Sequence, residues 1–170
     1  MRLFMLSILL FITSTISAQE KEWTLHKSEE CKISFKMPNN VQRLKKENNN
    51  IKSDIFQTKD LTCTYGIVAS YFDKQNFSRQ PIDGLYKEMK KGSLLEDSSI
   101  LLSEQSCVYQ KMLVKEIKYS ALFKKMEYIY YKRFFFKGPF IYQISIGGAG
   151  RHSRELEANK EIFFNSITFL

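Results

Sequence analysis

The stretch FFFKGPFIYQISI, Phe134 to Ile146, decides how the rest of the chain is read. Two dense runs of aromatic and β-branched residues flank Lys137, Gly138 and Pro139, which are turn formers. The segment therefore reads as a hairpin whose strands lie at the centre of a sheet. Upstream, Met126 to Phe136 is the first arm, and Ile100 to Phe123 holds two more strands, the clearer being KMLVKEIKY, Lys111 to Tyr119. Downstream, GGAG (Gly147 to Gly150) is expected to break the strand. Ser153 is expected to cap a helix running to about Phe164, with Glu155 and Glu157 near its positive end. The tail FNSITFL reads as a short final strand.

Working further back, LTCTYGIVASYF (Leu61 to Phe72) alternates so that Cys63, Tyr65, Ile67, Ala69 and Tyr71 share one face. Ile51 to Thr58 pairs with it around Lys59 and Asp60, and Asp73 to Gln80 is a loop. Pro81 then opens a helix, because its missing N–H is no loss in a first turn. Ile82, Leu85, Tyr86 and Met89 recur at helical spacing, the stripe of a helix laid on a sheet, and Gly92 and Ser93 stop it. ISFKM before Pro38, Asn39 and Asn40 is a first strand closed by a turn. RLKKENNN, Arg43 to Asn50, reads as an exposed loop. The fold class is thus α+β, a mainly antiparallel sheet flanked by helices.

Residues 1–18 read as a cleavable signal peptide: Arg2 supplies the positive start, LFMLSILLFI an apolar core of about ten residues, and TSTISA a small polar end before Gln19. A membrane anchor is the competing reading, but a span needs about 20 apolar residues. Residues 19–170 are then a single exported α+β domain, expected to be monomeric and without a transmembrane segment. The whole chain carries a formal charge of +8, and removing the leader takes away only Arg2, leaving +7. That balance favours anionic partners, although lysines spread over solvated faces also serve solubility alone. Export argues against nucleic acid as a partner, despite the mixed YIYYKRFFFK.

Cys31, Cys63 and Cys107 are the only cysteines. An oxidising compartment allows one pair, Cys63 with Cys107, since both sit in expected strands; three separate buried thiols are the alternative and the better supported one. No C-x-x-C signals zinc, and no cofactor or metal is expected. His26 and His152, the only histidines, lie at opposite ends of the chain. Acidic residues come singly or in solvent-facing pairs such as Glu29–Glu30 and Glu96–Asp97, so no catalytic residue is assigned. Asn76-Phe77-Ser78 is formally a glycosylation acceptor. The candidate anion site is ISIGGAGRHSRE, where Arg151, His152 and Arg154 follow a glycine turn at a helix start; a plain turn and cap is the competing reading. Nine Tyr and fourteen Phe are many for 170 residues. Phe134 to Phe136 belong to a core, while Tyr128, Tyr130 and Tyr131 suit either a core or an exposed face that a partner or glycan covers.

The order of these blocks over residues 22 to 170 resembles the PsbP-like family of α/β/α sandwich domains: ISFKMP, then TYGIVASYF leading into PIDGLYKEM, then KRFFFKGPFIYQISI and a helix ending in FFNSITF. The resemblance implies a non-enzymatic accessory or binding protein of the cell envelope, with a protein or envelope partner. A small secreted hydrolase whose active site converges only in space, and a periplasmic inhibitor or immunity-type protein, are the alternatives.

Overall fold

The computed structural model describes residues 21–38, 40–48, 51–94 and 99–170. The expected signal peptide, Asn39 of the first turn, the Asn49–Asn50 end of the polar run and the Glu96–Asp97 pair lie outside the described residues. The hairpin of Phe134 to Ile146 is present as β8 (Met126–Lys137) and β9 (Phe140–Ala149), with Lys137 opposite Phe140 and Gly138 at φ +56° in the two-residue turn. Around it lie β3 (Gln42–Asn48), β4 (Ile51–Lys59), β5 (Cys63–Phe72), β6 (Ile100–Tyr109) and β7 (Met112–Phe123). They form one seven-stranded antiparallel sheet in the order β3-β4-β5-β9-β8-β7-β6. β9, the most apolar strand, is the middle one, as the density of its apolar residues requires.

Alternation along these strands feeds two cores. Phe135, Tyr142, Ile144 and Ile146, with Tyr65 and Ile67, face α2 (Ser153–Asn165) through Leu156, Phe163 and Phe164. The same core is roofed by a small antiparallel sheet of β1 (Trp23–Ser28), β2 (Ile33–Pro38) and β10 (Thr168–Phe169), which contributes Ile33, Phe35 and Met37. On the opposite face Phe134, Phe136, Ile117, Tyr119 and Ile141 pack under α1 (Asp83–Ser93) through Tyr86, and under Phe77 of the preceding loop. One long sheet with a helix on each face is the layered arrangement that the apolar pattern calls for.

Three local expectations are corrected. Arg43 to Asn48 is not loop but most of β3, a sheet edge exposed at every position; with water on both faces it has no reason to alternate. The glycines of GGAG do not break β9, which pairs through Gly147, Gly148 and Ala149 with β5 and β8. They are there for space: a Cβ on Gly147 would stand 2.6 Å from Tyr130 Cε1, and one on Gly148 2.5 Å from the Thr62 carbonyl. Finally, Ser153 does not cap α2; His152 is the N-cap residue, a 3-10 turn (Gly150–His152) leads in, and no side chain bonds the first amides.

His26 stacks on Phe35, its cross-strand partner, with centroids 5.6 Å apart, and its buried Nε2 has no hydrogen-bond partner. Burial lowers the imidazole pKa in the folded state. Folding therefore binds fewer protons than the unfolded chain does, so this contribution is complete above the unfolded value of about 6.5 and is lost as pH falls towards the depressed folded value. Urea unfolding at pH 7.5 and pH 5 should show a smaller loss on acidification for His26→Leu than for the wild type; equal losses would mean that His26 takes up its proton alike in the folded and unfolded states.

Candidate functional site

Several reactive side chains among the described residues are engaged in holding strands together. The Cys31 thiol donates to Asp54 Oδ2 at 2.8 Å, and the Arg43 guanidinium donates to the same oxygen and to Glu30. Burial, and next the Asp54 carboxylate, push this thiol up to about 11, so it stays protonated and unreactive near neutral pH. Asp60, in the β4–β5 turn, accepts from the Thr62 and Cys63 amides at 2.8 and 2.7 Å and from the buried Tyr65 hydroxyl at 2.9 Å, and it pairs with Lys21. Burial alone would raise its pKa, but Lys21 and these donors outweigh that and hold the carboxyl below its ordinary range. Glu116 and Arg133, opposite one another on β7 and β8, form an ion pair in the α2 core.

All three cysteines are free. The Cys63–Cys107 bridge that an oxidising compartment would allow is ruled out by strand order: β9, β8 and β7 stand between β5 and β6, a span of roughly 19 Å at about 4.8 Å per strand. A disulfide needs Cα atoms within about 7 Å. Sequence places both cysteines in strands but says nothing of which strands are neighbours.

Several clefts are open to solvent, and one of them lies at the end of the large sheet that α1 leaves uncovered. Lys59 and Thr64 pair across β4 and β5, Thr64 pairs with Gly147, and Gly147 with Tyr130. Tyr130 stacks on Tyr119 (5.0 Å, 17°) and lies nearly parallel to Tyr128 (6.5 Å, 24°). Lys59, Thr64, Gly147, Tyr128 and Tyr130 line a cleft of ≈ 240 Å³ together with Arg151 and His152. The Arg151 Nε–H donates to His152 Nε2 at 3.1 Å. Of the expected anion-site residues, two are therefore together at this cleft, while Arg154 is exposed on the first turn of α2 and does not line it. Sequence reading missed Lys59, Thr64 and Gly147, because only the strand register brings them beside the tyrosines. The tyrosines themselves divide: Tyr131 is buried against the α2 core, whereas Tyr128 and Tyr130 are half-buried at the cleft.

The two edges of the large sheet differ in kind. β3 carries Arg43, Lys45, Lys46 and Glu47, the charged residues that keep an edge from pairing with another chain. β6, ILLSEQSCVY, carries only Glu104, and that carboxylate is taken up by Tyr86 and Lys90 of α1 at 2.8 Å each. Ile100, Leu101 and Leu102 on it are exposed, and Leu122, Phe123 and Met126 of the β7–β8 hairpin extend the same apolar corner. Among the described residues no helix is long and apolar enough to cross a membrane.

No family model matches the sequence, and no curated protein does. Solved structures do match. The cyanobacterial PsbP of Synechocystis sp. PCC 6803 superposes with a TM-score of 0.61 at 7% identity, covering 94% of this chain and 99% of that one. LpqN of Mycobacterium tuberculosis, described as involved in cell envelope biogenesis, superposes with a TM-score of 0.54 at 10% identity, covering 88% and 91%. At such identities the likeness is one of architecture: the chain has a PsbP-like α+β fold.

Proposed function

We propose that residues 19–170 are an exported accessory module of the cell envelope, and that the module works by adding an extended segment of a protein partner to the β6 edge. The carrying observation is the difference between the two sheet edges. A ten-residue edge strand with one charge, and that charge turned onto α1, is what strand addition requires; β3 has every feature that prevents it. The apolar corner of Ile100 to Leu102 with Phe123 gives the incoming strand side-chain contacts beside its backbone bonds. The likeness to LpqN supports the envelope setting, and the signal-like leader supports export. Binding is favoured over hydrolysis because Cys31, Asp54, Asp60 and Glu116 are each held by several bonds.

The mature protein, immobilised from Gln19 onward, should retain one stoichiometric partner from host envelope extract at physiological salt. Hydrogen exchange of the β6 amides should slow when that partner binds. The variant Ile100→Lys/Leu102→Lys changes two exposed side chains and should fold normally while losing the partner. Retention by the variant, or unchanged exchange along β6, would defeat the strand-addition reading; a bare column would defeat the accessory-module reading altogether.

A further inference from the structure

We infer that one end of the large sheet, made of the β4–β5 turn and the tip of the β7–β8 hairpin, docks on an anionic lipid bilayer. Leu61, Phe123 and Met126 dip into the interface, and Lys124, Lys125 and Arg151 meet the lipid phosphates. The inference does not rest on the β6 reading, since it uses the turns at the end of the sheet and not its edge.

The hairpin tip stands out from the sheet. Among the described residues, the pairing of β7 with β6 ends at Ser120, and that of β8 with β9 ends at Tyr128. Phe123, directly opposite Met126, lies three residues past Ser120, or about 10 Å at roughly 3.3 Å per residue. Lys124 and Lys125 close the turn at φ of 49° and 66°. A hairpin end is ordinarily polar, yet Leu122, Phe123 and Met126 are all exposed here. Phe123 and Met126 share one face, and Leu122 belongs to the other, so the tip is apolar on both sides.

The β4–β5 turn reaches out at the same end. Cys63, Gly148, Ile129 and Ser120 form one row of partners across the sheet. Leu61, two residues before Cys63, is the most exposed large apolar residue of the described chain. Two apolar prongs thus stand about 10–14 Å apart, at about 4.8 Å per strand. A protein partner would need a hollow to receive each prong, whereas a bilayer takes whatever apolar tips stand farthest out together. Their reach matches the depth of about 5–10 Å to which interfacial elements sink.

Charge decides the kind of bilayer. The Lys124 ammonium rests over the Phe123 ring, 5.4 Å from its centroid, so its stem can follow the ring inward while the head stays at phosphate level. Arg151 is exposed one residue after Gly150, whose backbone lies against Glu127 at the base of the tip. Glu127 is the one carboxylate of the hairpin end, against Lys124 and Lys125, and Asp60 of the other turn is matched by Lys21. Cations set around apolar tips are drawn to anionic lipid.

The mature protein from Gln19, without the apolar leader, should be sedimented with vesicles of phosphatidylcholine alone and with vesicles of equal parts phosphatidylcholine and phosphatidylglycerol. It should bind the anionic vesicles at least about tenfold more tightly, and less as salt rises. Lys124→Asn/Lys125→Asn puts a residue at ease with positive φ in the turn and should weaken binding at least about tenfold. Leu61→Ser/Met126→Ser should do the same, and circular dichroism should show both variants folded. The emission of Phe123→Trp should shift to the blue on anionic vesicles by more than that of the wild type, whose Trp23 packs on Tyr65. No binding, or equal binding to both vesicles, would overturn the inference, as would wild-type binding by both double variants. Binding without the added blue shift would overturn insertion of the tip. Ile100→Lys/Leu102→Lys should bind vesicles at least as tightly as the wild type, and Leu61→Ser/Met126→Ser should keep the β6 partner, so the two readings fail separately.

Discussion

Glu116→Ala is expected to lower the unfolding free energy by about 3–5 kcal/mol, among the larger losses available to a single substitution in this chain. Glu116 is 5% exposed, and its carboxylate accepts both from Arg133 and from Gln105 Nε2 at 3.1 Å. The Arg133 guanidinium also lies over the Phe164 ring, 4.6 Å from its centroid, so truncating its partner leaves a cation stranded between β8 and α2. Removing both charges together is a different matter. Glu116→Leu/Arg133→Met replaces the pair with apolar volume, and a buried ion pair is often no better than such a replacement, so most of the loss should be recovered. Urea unfolding of Glu116→Ala and of the double variant measures this. If the double variant were as unstable as Glu116→Ala, the pair would be doing more than balancing its own desolvation.

Asp60→Ala should be comparably severe, about 3–5 kcal/mol, for a different reason. Tyr65 has no exposed surface, and its hydroxyl has the Asp60 carboxylate as its acceptor. Alanine would leave that hydroxyl and Lys21 without Oδ2, and two turn amides without Oδ1. Asp60→Asn keeps the volume and one acceptor oxygen, and should cost less. The same carboxyl makes stability pH-dependent. Because its folded pKa is held below the unfolded value of about 3.9, its contribution is complete above that value and is lost as pH falls through the folded pKa. Wild-type and Asp60→Asn unfolding curves should therefore approach each other between pH 5 and pH 2; parallel curves would mean that Asp60 titrates normally.

The hairpin of Phe134 to Ile146 was legible because two apolar runs and a Gly-Pro turn leave little choice, and helix α1 because its stripe is unbroken. β3 was not, since a strand with water on both faces writes no period into its residues. Gly147 and Gly148 read as a strand end because glycine usually is one; here they make way for Tyr130 and for the Thr62 carbonyl, contacts that exist only once the register is known. The cleft was half legible for the same reason. Arg151 and His152 stand in sequence beside a glycine turn, but Lys59, Thr64 and Tyr130 join them through three strand pairings that no local pattern records.

The small β1-β2-β10 sheet has a kinetic meaning. It joins an early strand to a very late one: the Lys36 amide bonds the Ser166 hydroxyl across 130 residues of chain, and Leu170 N–H reaches the Lys32 carbonyl at 3.0 Å. Until residues 153–169 are in place, the face holding Tyr65, Tyr142 and Ile144 has neither α2 nor the closing strand over it. Contacts so distant in sequence form slowly. A nascent chain of this design keeps an open, sticky face until residues 153–169 have been made, so this core closes late.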